Sequence, residues 1–416
     1  MLRRLCLLLL PVVLLAGCQP DDKSTLRVWD TYTGERQSAA MDAQISRYHE
    51  AHPNVTIVRT SQAVERMRES VRLLLGTDSG PDVLNYDTGP AYAGALAKAG
   101  LLAPLDGAYQ RYDWSRRFFP WTKDRVTFGT KVYGIGNEIE FLGVYYNKKI
   151  FAQLNLDEPK TYDEFLLLCD KIKSAGYTPI AFADAARWPA FHQFSLLANN
   201  VVGQAKLENM LFAGSSWDTP AVVQSIRMFF VDMNRAGYFL KNPNLLSYED
   251  GNAAFYKGKA AMQMTGSWLL SEMETRPQGF EAGYFLFPSV DGKPVLPPGG
   301  LGSGYFVASN TKFPKQAEAF LDDLFSQQNG AFWLEDMALI PPLPVEVGKL
   351  KLSPLMKDAL TTFSVVPLGY NIDVLAGTRF NAVQSAGYQA VLQGLETPEE
   401  LARDLQIAWQ QDQAQP

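Results

Sequence analysis

Carboxylate and aromatic side chains recur together in short segments of the sequence. Asp30, Tyr32 and Glu35 lie just after an apolar stretch, and Tyr86 and Asp87 follow another. Carboxylates accept hydrogen bonds from hydroxyl groups, and such charge-assisted bonds contribute about 1.5–3 kcal/mol each. Aromatic faces bury apolar area and can cover C–H groups. This chemistry suits a hydroxyl-rich ligand such as a sugar, although two carboxylates that flank a glycosidic bond could instead hydrolyse it.

The residues required by other catalytic chemistries are missing from the sequence. The chain has 3 His, and His49 and His52 lie around a predicted helix end rather than at metal-ligand spacing. Residues 299–304 are rich in glycine, but they lack the Walker Lys-Ser/Thr, and residues 305–308 predict a strand instead of a helix. The sequence contains neither a Gly-x-Ser-x-Gly elbow nor a His-Glu-x-x-His pair. We therefore expect no catalytic residue, no metal and no cofactor.

Alternating strands and helices position the polar segments. Residues 26–29 and 55–60 predict strands, residues 63–75 predict a helix, and residues 81–84 begin a third strand. Strands that alternate with helices form a parallel sheet, and ligands bind outside the carboxyl ends of its strands. The same rule adds Gln62, which follows the second strand, to the candidate ligand-binding residues.

Capping signals mark the starts of two later helices. Thr161 and Glu164 form a capping box, in which each side chain accepts a hydrogen bond from a backbone N–H of the first turn. Thr397 and Glu400 repeat this device, with Pro398 at the first helical position. The last helix has apolar residues on one face, so we expect it to pack against the body of the protein.

Length and composition indicate a folded protein of two lobes. A chain of 416 residues is long for one compact domain. Hydrophobic residues make up 47% and charged residues only 20%, which supplies sizeable cores and argues against disorder. The net charge is −6 and no long Lys/Arg block occurs, so we expect no binding to nucleic acid.

The N-terminal residues resemble a bacterial lipoprotein signal. Arg3 and Arg4 precede an apolar run over residues 5–15, which is shorter than the roughly 20 residues that span a bilayer. Small residues then lead directly to Cys18, the position that such a signal acylates. We therefore predict a signal over residues 1–18 and a polar tether over residues 19–24. The alternative is a plain export signal with an incidental cysteine.

The cysteines agree with this interpretation. Cys6 leaves with the signal and Cys18 is lipidated, so Cys169 is the one remaining thiol and no intramolecular disulfide can form. Cys169 lies in an apolar helical stripe, which predicts an inert thiol in the core.

Four ordered segments resemble a known family. They are HPNV at 52–55, GPDV at 80–83 with LAKAGLL at 96–102, VYG at 132–134 with YYNK at 145–148, and FYKGKAAMQMTGSW at 255–268. In this order and spacing they are similar to the extracellular solute-binding proteins of ABC transporters, in the sugar-binding group that includes maltose-binding protein. The resemblance extends over nearly all of the chain after the signal.

The resemblance implies an α/β fold of the periplasmic-binding-protein type, type II-like, with two lobes and hinge strands between them. The chain would cross between the lobes near residues 137–141, 264–268 and 327–334. A ligand would bind in the cleft, where small-molecule sites commonly lie. The implied division assigns residues 25–137 and 269–327 to lobe 1, and residues 138–268 and 328–416 to lobe 2.

The resemblance also points to individual ligand-binding residues. Glu140 matches a hinge carboxylate that contacts sugar, with Glu138 as the alternative, and Trp268 matches a sugar-stacking tryptophan that could otherwise be a core residue. Trp188, in a predicted loop with polar neighbours, could cover an opposite ring face. The remaining candidates are Gly300, in the segment similar to the family's glycine loop, and Tyr370, Asn371 and Arg379, in the region where the last part of the chain contributes contacts.

The resemblance implies capture of a mono- or oligosaccharide by lobe closure, without chemistry, and delivery to the permease subunits of an ABC transporter. We expect an exported monomer, in the periplasm or at the cell surface, held to a membrane by its lipid. Alternatives that remain open are a polyamine, iron bound by Tyr145 and Tyr146, or a secreted glycoside hydrolase.

Overall fold

The computed structural model of the protein describes residues 24–276, 279–294 and 296–414. The predicted signal and Cys18, the predicted acylation site, lie outside these residues, as does most of the predicted tether. Ser24, which was predicted to end the tether, is instead the first residue of strand β1, Ser24–Asp30.

The predicted parallel strands are confirmed at one end of a nine-stranded sheet. Strand β1 pairs in parallel with β2, Val55–Ser61, and with β3, Val83–Asp87. Helix α1, Glu35–Ala51, connects the first two strands, and helix α2, Val64–Leu74, leads towards the third. The carboxyl ends of all three strands therefore meet at one edge.

Two long strands carry the sheet from one lobe to the other. Strand β6, Gly134–Asn147, pairs through its first half with β10, Pro298–Val307, and through its second half with β8, Ala260–Gly266. The sheet order is β2-β1-β3-β10-β6-β8-β7, so β10 and β6 lie at its centre. A crossing of the chain at 137–141 was predicted, and β6 passes through these residues.

Residues 299–304 belong to strand β10, so the predicted glycine loop is wrong. These residues pair antiparallel with β6, and the register shifts around Gly302. A Cβ atom at Gly302 would overlap the Glu140 carboxylate, and one at Gly304 would lie 2.8 Å from the Ile135 carbonyl oxygen. The glycines therefore serve close approach between two strands, which a sequence rich in glycine does not distinguish from a loop.

The remaining strands and α-helices complete the list of regular elements. The remaining strands are β4 (Thr127–Phe128), β5 (Lys131–Val132), β7 (Thr178–Ile180), β9 (Ala282–Phe285) and β11 (Gly369–Tyr370). The remaining α-helices are α3 (Ala93–Lys98), α4 (Asp106–Arg111), α5 (Trp114–Arg117), α6 (Pro120–Asp124), α7 (Lys148–Gln153), α8 (Tyr162–Ser174), α9 (Trp188–Val201), α10 (Gln204–Phe212), α11 (Pro220–Ile226), α12 (Tyr248–Tyr256), α13 (Leu270–Glu274), α14 (Pro314–Leu324), α15 (Pro354–Val365), α16 (Thr378–Gln393) and α17 (Pro398–Gln413).

Each lobe has its own apolar core. The first-lobe core contains Leu26 and Tyr305, and the second-lobe core contains Phe165 and Trp217, all fully buried. A third cluster lies where the crossing strands meet and includes Phe141. Two separate cores joined by a small cluster agree with an expectation of two lobes for this length.

The predicted division assigns the segment after residue 327 to lobe 2, but part of this segment packs with the first lobe. Trp333 is fully buried in the first-lobe core, where its ring stacks on Phe325 with ring centroids 4.9 Å apart. Ile340 forms a bridge to Ile139 on β6 and belongs to the third cluster. A division drawn on packing would therefore keep residues 332–343 with the first lobe and the crossing region.

Both predicted capping boxes are present. Glu164 N–H donates to Thr161 Oγ1 at 3.2 Å, and Glu400 N–H donates to Thr397 Oγ1 at the same distance. Helix α17, as expected, buries its apolar face against the second lobe, where Trp409 packs on Trp217.

Replacing Gly299 by alanine should destabilise the protein. A Cβ at this position would lie 2.6 Å from the carbonyl oxygen of Glu140. This oxygen cannot move away without disrupting the pairing of β6 with β10. Overpacking of this kind costs about 1–3 kcal/mol. The matched control is Gly107→Ala on α4, where a new Cβ meets nothing within 4 Å. Urea unfolding of both variants tests this, and equal free energies of unfolding would contradict it.

Candidate functional site

A cavity lies between the lobes, at the carboxyl ends of the parallel strands. It encloses about 1330 Å³ of space free of protein atoms, counting its open mouth. Its lining comes from the first lobe, from both crossing strands and from helices of the second lobe. The sheet topology alone thus places polar side chains from distant parts of the chain around one space.

One side of the cavity, which we call the aromatic wall, consists of Trp188, His192, Tyr248 and Trp268. The ring centroid of Trp188 lies 4.5 Å from that of Tyr248 and 6.2 Å from that of Trp268. The His192 ring lies 5.0 Å from Trp268. Burial lowers the pKa of His192 to about 3, so this imidazole is neutral and adds ring surface rather than charge.

Hydrogen bonds hold the aromatic wall in place. The indole N–H of Trp268 donates to the Tyr248 hydroxyl at 3.1 Å, and that hydroxyl lies 2.7 Å from Thr265 Oγ1. The indole N–H of Trp188 donates to Glu65 Oε1 at 2.7 Å. Glu65 lies on α2 of the first lobe, so this bond joins the two lobes across the cavity.

Trp268 reaches the cavity because of a glycine beside it. Its ring lies directly against Gly266, and a Cβ there would overlap the indole. The absence of a side chain at Gly266 therefore makes room for this ring. Trp188 is the first residue of α9 and follows Arg187, whose φ is 69°. It therefore lies on a helix rather than in the predicted loop.

A second part of the cavity lining, on the central strand β6, is acidic. Glu138 and Glu140 lie two residues apart on β6, so both side chains leave the strand on the same face. Burial raises the pKa of Glu138 to about 8. Burial also raises the pKa of Glu140 well above its usual range, and the neighbouring Glu138 and Asp373 add to this effect. Glu138 can therefore hold a proton near neutral pH, and burial favours the protonated form of Glu140 as well.

The segment that follows strand β11 contributes Asn371 and Asp373. Asn371 Nδ2 donates to Glu140 Oε1 at 3.3 Å. Burial raises the pKa of Asp373 to about 7, while the positive charge of Arg68 opposes the rise. Arg68 itself forms two hydrogen bonds with Asp87, at 2.8 and 2.9 Å, and lies over the Tyr92 ring.

Several buried polar atoms around the cavity have no partner within the described part of the chain. They are Glu138 Oε1, Asn371 Oδ1, Asp373 Oδ1 and Asn85 Nδ2. Buried polar groups are nearly always hydrogen-bonded, and leaving one unpaired costs about 1–3 kcal/mol. Four such atoms at one cavity indicate hydrogen-bonding capacity that a ligand would complete.

The predicted ligand-binding residues divide into two groups. Seven of them line the cavity and six do not. Those that line it are Tyr32, Tyr86, Asp87, Glu140, Trp188, Trp268 and Asn371, and those that do not are Asp30, Glu35, Gln62, Gly300, Tyr370 and Arg379.

Asp30 has a structural partner instead of a place at the cavity. Its side chain is fully buried, and Arg59 donates to both of its carboxylate oxygens, at 2.5 and 2.9 Å. Arg59 also pairs with Asp42, which is 64% exposed. Because β2 runs beside β1, an arginine on the neighbouring strand neutralises this aspartate, which the linear sequence does not reveal.

The other five residues also lie elsewhere. Glu35 is exposed at the start of α1, and the Gln62 Oε1 atom accepts a hydrogen bond from Ser70. Gly300 lies opposite Glu140 in the strand ladder. Away from the cavity lining, the Tyr370 ring contacts Phe212 and the Arg379 side chain pairs with Asp412.

The structure adds residues that the sequence did not indicate. Asn85 and Asp373 lie within two residues of predicted ones, so a wider window around each segment would have included them. Arg68, His192 and Tyr248 lie on helices, and no local pattern distinguishes them from ordinary helical residues. Their role at the cavity depends on the packing of three separate helices.

The iron alternative has no support at this cavity. Tyr145 is buried in the third cluster, and Tyr146 packs on Phe151 and donates to Glu158, so neither lines it. Across the described ranges, no group of three or more His, Cys, Asp or Glu side chains could hold a metal ion. Cys169, predicted to be an inert core thiol, is fully buried, and burial raises its pKa.

Sequence comparison assigns the chain to a family. The model of the bacterial extracellular solute-binding protein family matches residues 32–331, well over half of the chain. The chain belongs to this family. Its members are binding proteins rather than enzymes. Within the described residues, no helix of this solute-binding protein has both the length and the apolar character that crossing a membrane requires.

Individual relatives have names that mention sugars. The chain is 28% identical to the multiple sugar-binding protein of Streptococcus mutans over 328 residues, which cover 74% of this chain and 74% of that protein. It is 23% identical to the diacetylchitobiose binding protein NgcE of Streptomyces coelicolor over 268 residues, covering 60% of this chain and 56% of that protein.

Solved structures confirm the predicted two-lobe α/β fold. A chitin oligosaccharide binding protein matches with a TM-score of 0.84 and 24% identity, over 94% of this chain and 100% of that one. The maltose/maltodextrin-binding domain MalE from Bdellovibrio bacteriovorus, bound to maltotriose, matches with a TM-score of 0.76 and 21% identity, again over 94% and 100%. At these identities the likeness establishes the fold.

The buried Asp30–Arg59 pair predicts a strong effect on stability. Asp30→Ala leaves Arg59, which is 9% exposed, without its main partner, and breaking a buried pair in this way costs about 3–5 kcal/mol. Asp42→Ala removes the exposed partner of the same arginine and should cost no more than about 1 kcal/mol. Urea unfolding compares the two variants, and similar losses would show that burial of the pair does not matter.

Proposed function

We propose that this solute-binding protein binds a mono- or oligosaccharide in the interlobe cavity and delivers it to the permease subunits of an ABC transporter. The observation that carries the proposal is the pairing of the aromatic wall with four unpartnered buried polar atoms across the same cavity. A sugar ring has C–H groups on its faces and hydroxyls on its rim, so it is complementary to both sides at once.

The two sides contribute in different ways. Indole and phenol faces bury the apolar surface of a ring and contribute about 25 cal/mol for each Å² removed from water. Carboxylates and amides orient the hydroxyls, because each hydroxyl both donates and accepts a hydrogen bond. Glu138 and Glu140 can accept from hydroxyls when ionised and donate to them when protonated. Burial raises the pKa of Glu138 to about 8, which makes both of its forms accessible near neutral pH, and burial shifts the pKa of Glu140 in the same direction.

The names of the relatives point the same way. Both the Streptococcus and the Streptomyces proteins are named for binding saccharides, and so are the two structural neighbours. The polyamine and glycoside hydrolase alternatives have no comparable support among these proteins.

The position of the cavity supports capture by lobe closure, without chemistry. Its lining comes from both lobes and from the strands between them, and the Trp188–Glu65 hydrogen bond joins the two lobes. A ligand that contacts both sides stabilises the closed arrangement by its differential affinity for closed and open forms. The closed form would then be the one that the permease subunits recognise, and a monomer suffices for this cycle.

A thermal-shift screen against mono- and oligosaccharides tests the proposed function. A sugar present at 100 times its Kd should add about 2.7 kcal/mol to the free energy of unfolding and raise Tm. A shift with spermidine or iron but with no saccharide would contradict the proposal. Release of cleaved products from an oligosaccharide would identify a hydrolase instead.

Trp268→Ala should weaken binding of the best sugar at least tenfold, which corresponds to about 1.4 kcal/mol. The substitution removes a ring face that lines the cavity while leaving the hydrogen-bonding groups in place. Trp121→Ala is the matched control, because Trp121 is partly buried but does not line the cavity. Calorimetry measures both affinities, and equal affinities would exclude Trp268 from the site.

We further propose that the protein is exported and held to a membrane by acylation of Cys18. Support comes from the small residues before Cys18 at the end of an apolar run. Each buried methylene of an acyl chain contributes about 0.8 kcal/mol, so two or more chains hold a protein firmly at a membrane.

Cys18→Ala should therefore abolish incorporation of labelled palmitate and shift the protein from the membrane fraction to the soluble one. Cys6→Ala, which changes a cysteine earlier in the same segment, is the control and should leave both unchanged. Unaltered labelling of the Cys18 variant would leave a plain export signal as the better interpretation.

A further inference from the structure

The lining of the interlobe cavity is unusually acidic. Seven of its lining residues are carboxylates, and Arg68 is the single lysine or arginine among the described residues that line it. A neutral sugar offers no charge to balance this excess. The carboxylates are Glu65, Asp87, Glu138, Glu140, Glu249, Glu272 and Asp373.

Four of the seven carboxylates are paired or face solvent. Asp87 is held by Arg68 through two hydrogen bonds, and Glu272 is held by Arg276 with an N···O distance of 2.7 Å. The other two are Glu65, which accepts the indole hydrogen bond from the opposite lobe, and Glu249, which is exposed.

The remaining three carboxylates are buried without a counter-charge. Glu138, Glu140 and Asp373 are 6%, 9% and 3% exposed, and none forms an ion pair with a residue in the described ranges. Arg68 attracts Asp373 but is already engaged with Asp87. Burying unpaired carboxylates is strongly unfavourable, so the site is organised for something that compensates them.

The unpartnered atoms indicate what that compensating group must offer. When the two carboxyl groups are ionised, Glu138 Oε1, Asn371 Oδ1 and Asp373 Oδ1 are hydrogen-bond acceptors, while Asn85 Nδ2 is the one donor among the four. Each of these side chains is more than nine-tenths buried. A complementary ligand must therefore supply more donors than acceptors. A hydroxyl donates one hydrogen bond, whereas an ammonium group donates three, accepts none and has a positive charge.

We infer that the cavity is selective for an amino sugar, whose protonated amine lies among Glu138, Glu140 and Asp373 while its ring packs on the aromatic wall. This inference rests on the proposed function and names the class of saccharide. An N-acetylated or hydroxylated analogue has the same ring but lacks the positive charge, so it would leave the three carboxylates uncompensated.

Ligand binding at this position is linked to proton release. Without a cation, burial raises the pKa of Glu138 to about 8 and that of Asp373 to about 7, so both carry protons for much of the time at pH 7. A cation stabilises the ionised carboxylates and lowers these pKa values, which drives protons into the solvent. A neutral sugar does not require this ionisation.

Calorimetry with matched disaccharides tests the inference. The probes are the β-1,4-linked dimers of glucosamine, N-acetylglucosamine and glucose, with spermidine as a cation that lacks a sugar ring. At pH 7 the glucosamine dimer should bind at least tenfold more tightly than either neutral dimer. Its binding enthalpy should vary with the ionisation enthalpy of the buffer in the direction of proton release, and that of the neutral dimers should not.

Charge-removing variants locate the effect. Glu138→Gln and Asp373→Asn should each reduce the preference for the glucosamine dimer at least fivefold, whereas Glu249→Gln, at the exposed rim, should change it less than twofold. Near-UV circular dichroism checks that each variant keeps the native packing. An equal effect of the rim variant would mean general attraction to an acidic surface, which overturns the inference.

The remaining outcomes distinguish a failure of amino-sugar selectivity from a failure of sugar binding. Tighter binding of a neutral dimer would overturn the amino-sugar inference and leave sugar binding intact. Binding of spermidine as tight as that of the glucosamine dimer would show that the ring is not recognised and would also overturn it. If no saccharide binds here or in the thermal-shift screen, both proposals fail.

Discussion

The close antiparallel pairing of β6 with β10 is the constraint on which the rest of the structure depends. Within the described residues these two strands join the halves of the sheet at its centre, and they approach closely because glycines on β10 face β6. The missing side chain at Gly302 leaves the space that the Glu140 carboxylate occupies. The same pairing thus connects the lobes and fixes an acidic group at the junction, so the mechanical link and the chemistry of the cavity cannot be altered independently.

The two sides of the cavity differ in how firmly they are held. The acidic side lies on the central strands, whose ladder allows little movement, whereas the aromatic wall comes from helix ends and a short 3₁₀ turn of the second lobe. Hydrogen bonds of Trp268 and Trp188 compensate for the weaker backbone support. A fixed polar side can discriminate between ligands by geometry, while a wall of rings tolerates some variation in the shape that it covers.

The sequence predicted the outline of the fold well and the composition of the site only in part. Periodicity and caps identified β1 to β3 and the start of α8, because these signals act over short stretches. Asp30 looked like a ligand-binding carboxylate at a strand end, yet its neutralisation by Arg59 depends on strand pairing. Arg68 and Tyr248 reach the cavity through helix packing, which no local pattern encodes. Family resemblance, rather than a local pattern, pointed to Glu140 and Trp268, and both line the cavity. Whether the other candidates line it depends on long-range packing.

The hydrogen bond from Trp188 to Glu65 links the environment of an indole ring to the position of the lobes. It is made by an indole on one lobe and a carboxylate on the other, so any separation of the lobes must break it and expose the ring edge to water. Indole emission responds to the polarity around the ring and to nearby carboxylates. The intrinsic fluorescence of Trp188 therefore reports the separation of the lobes, and it follows opening and closing in real time without an attached dye.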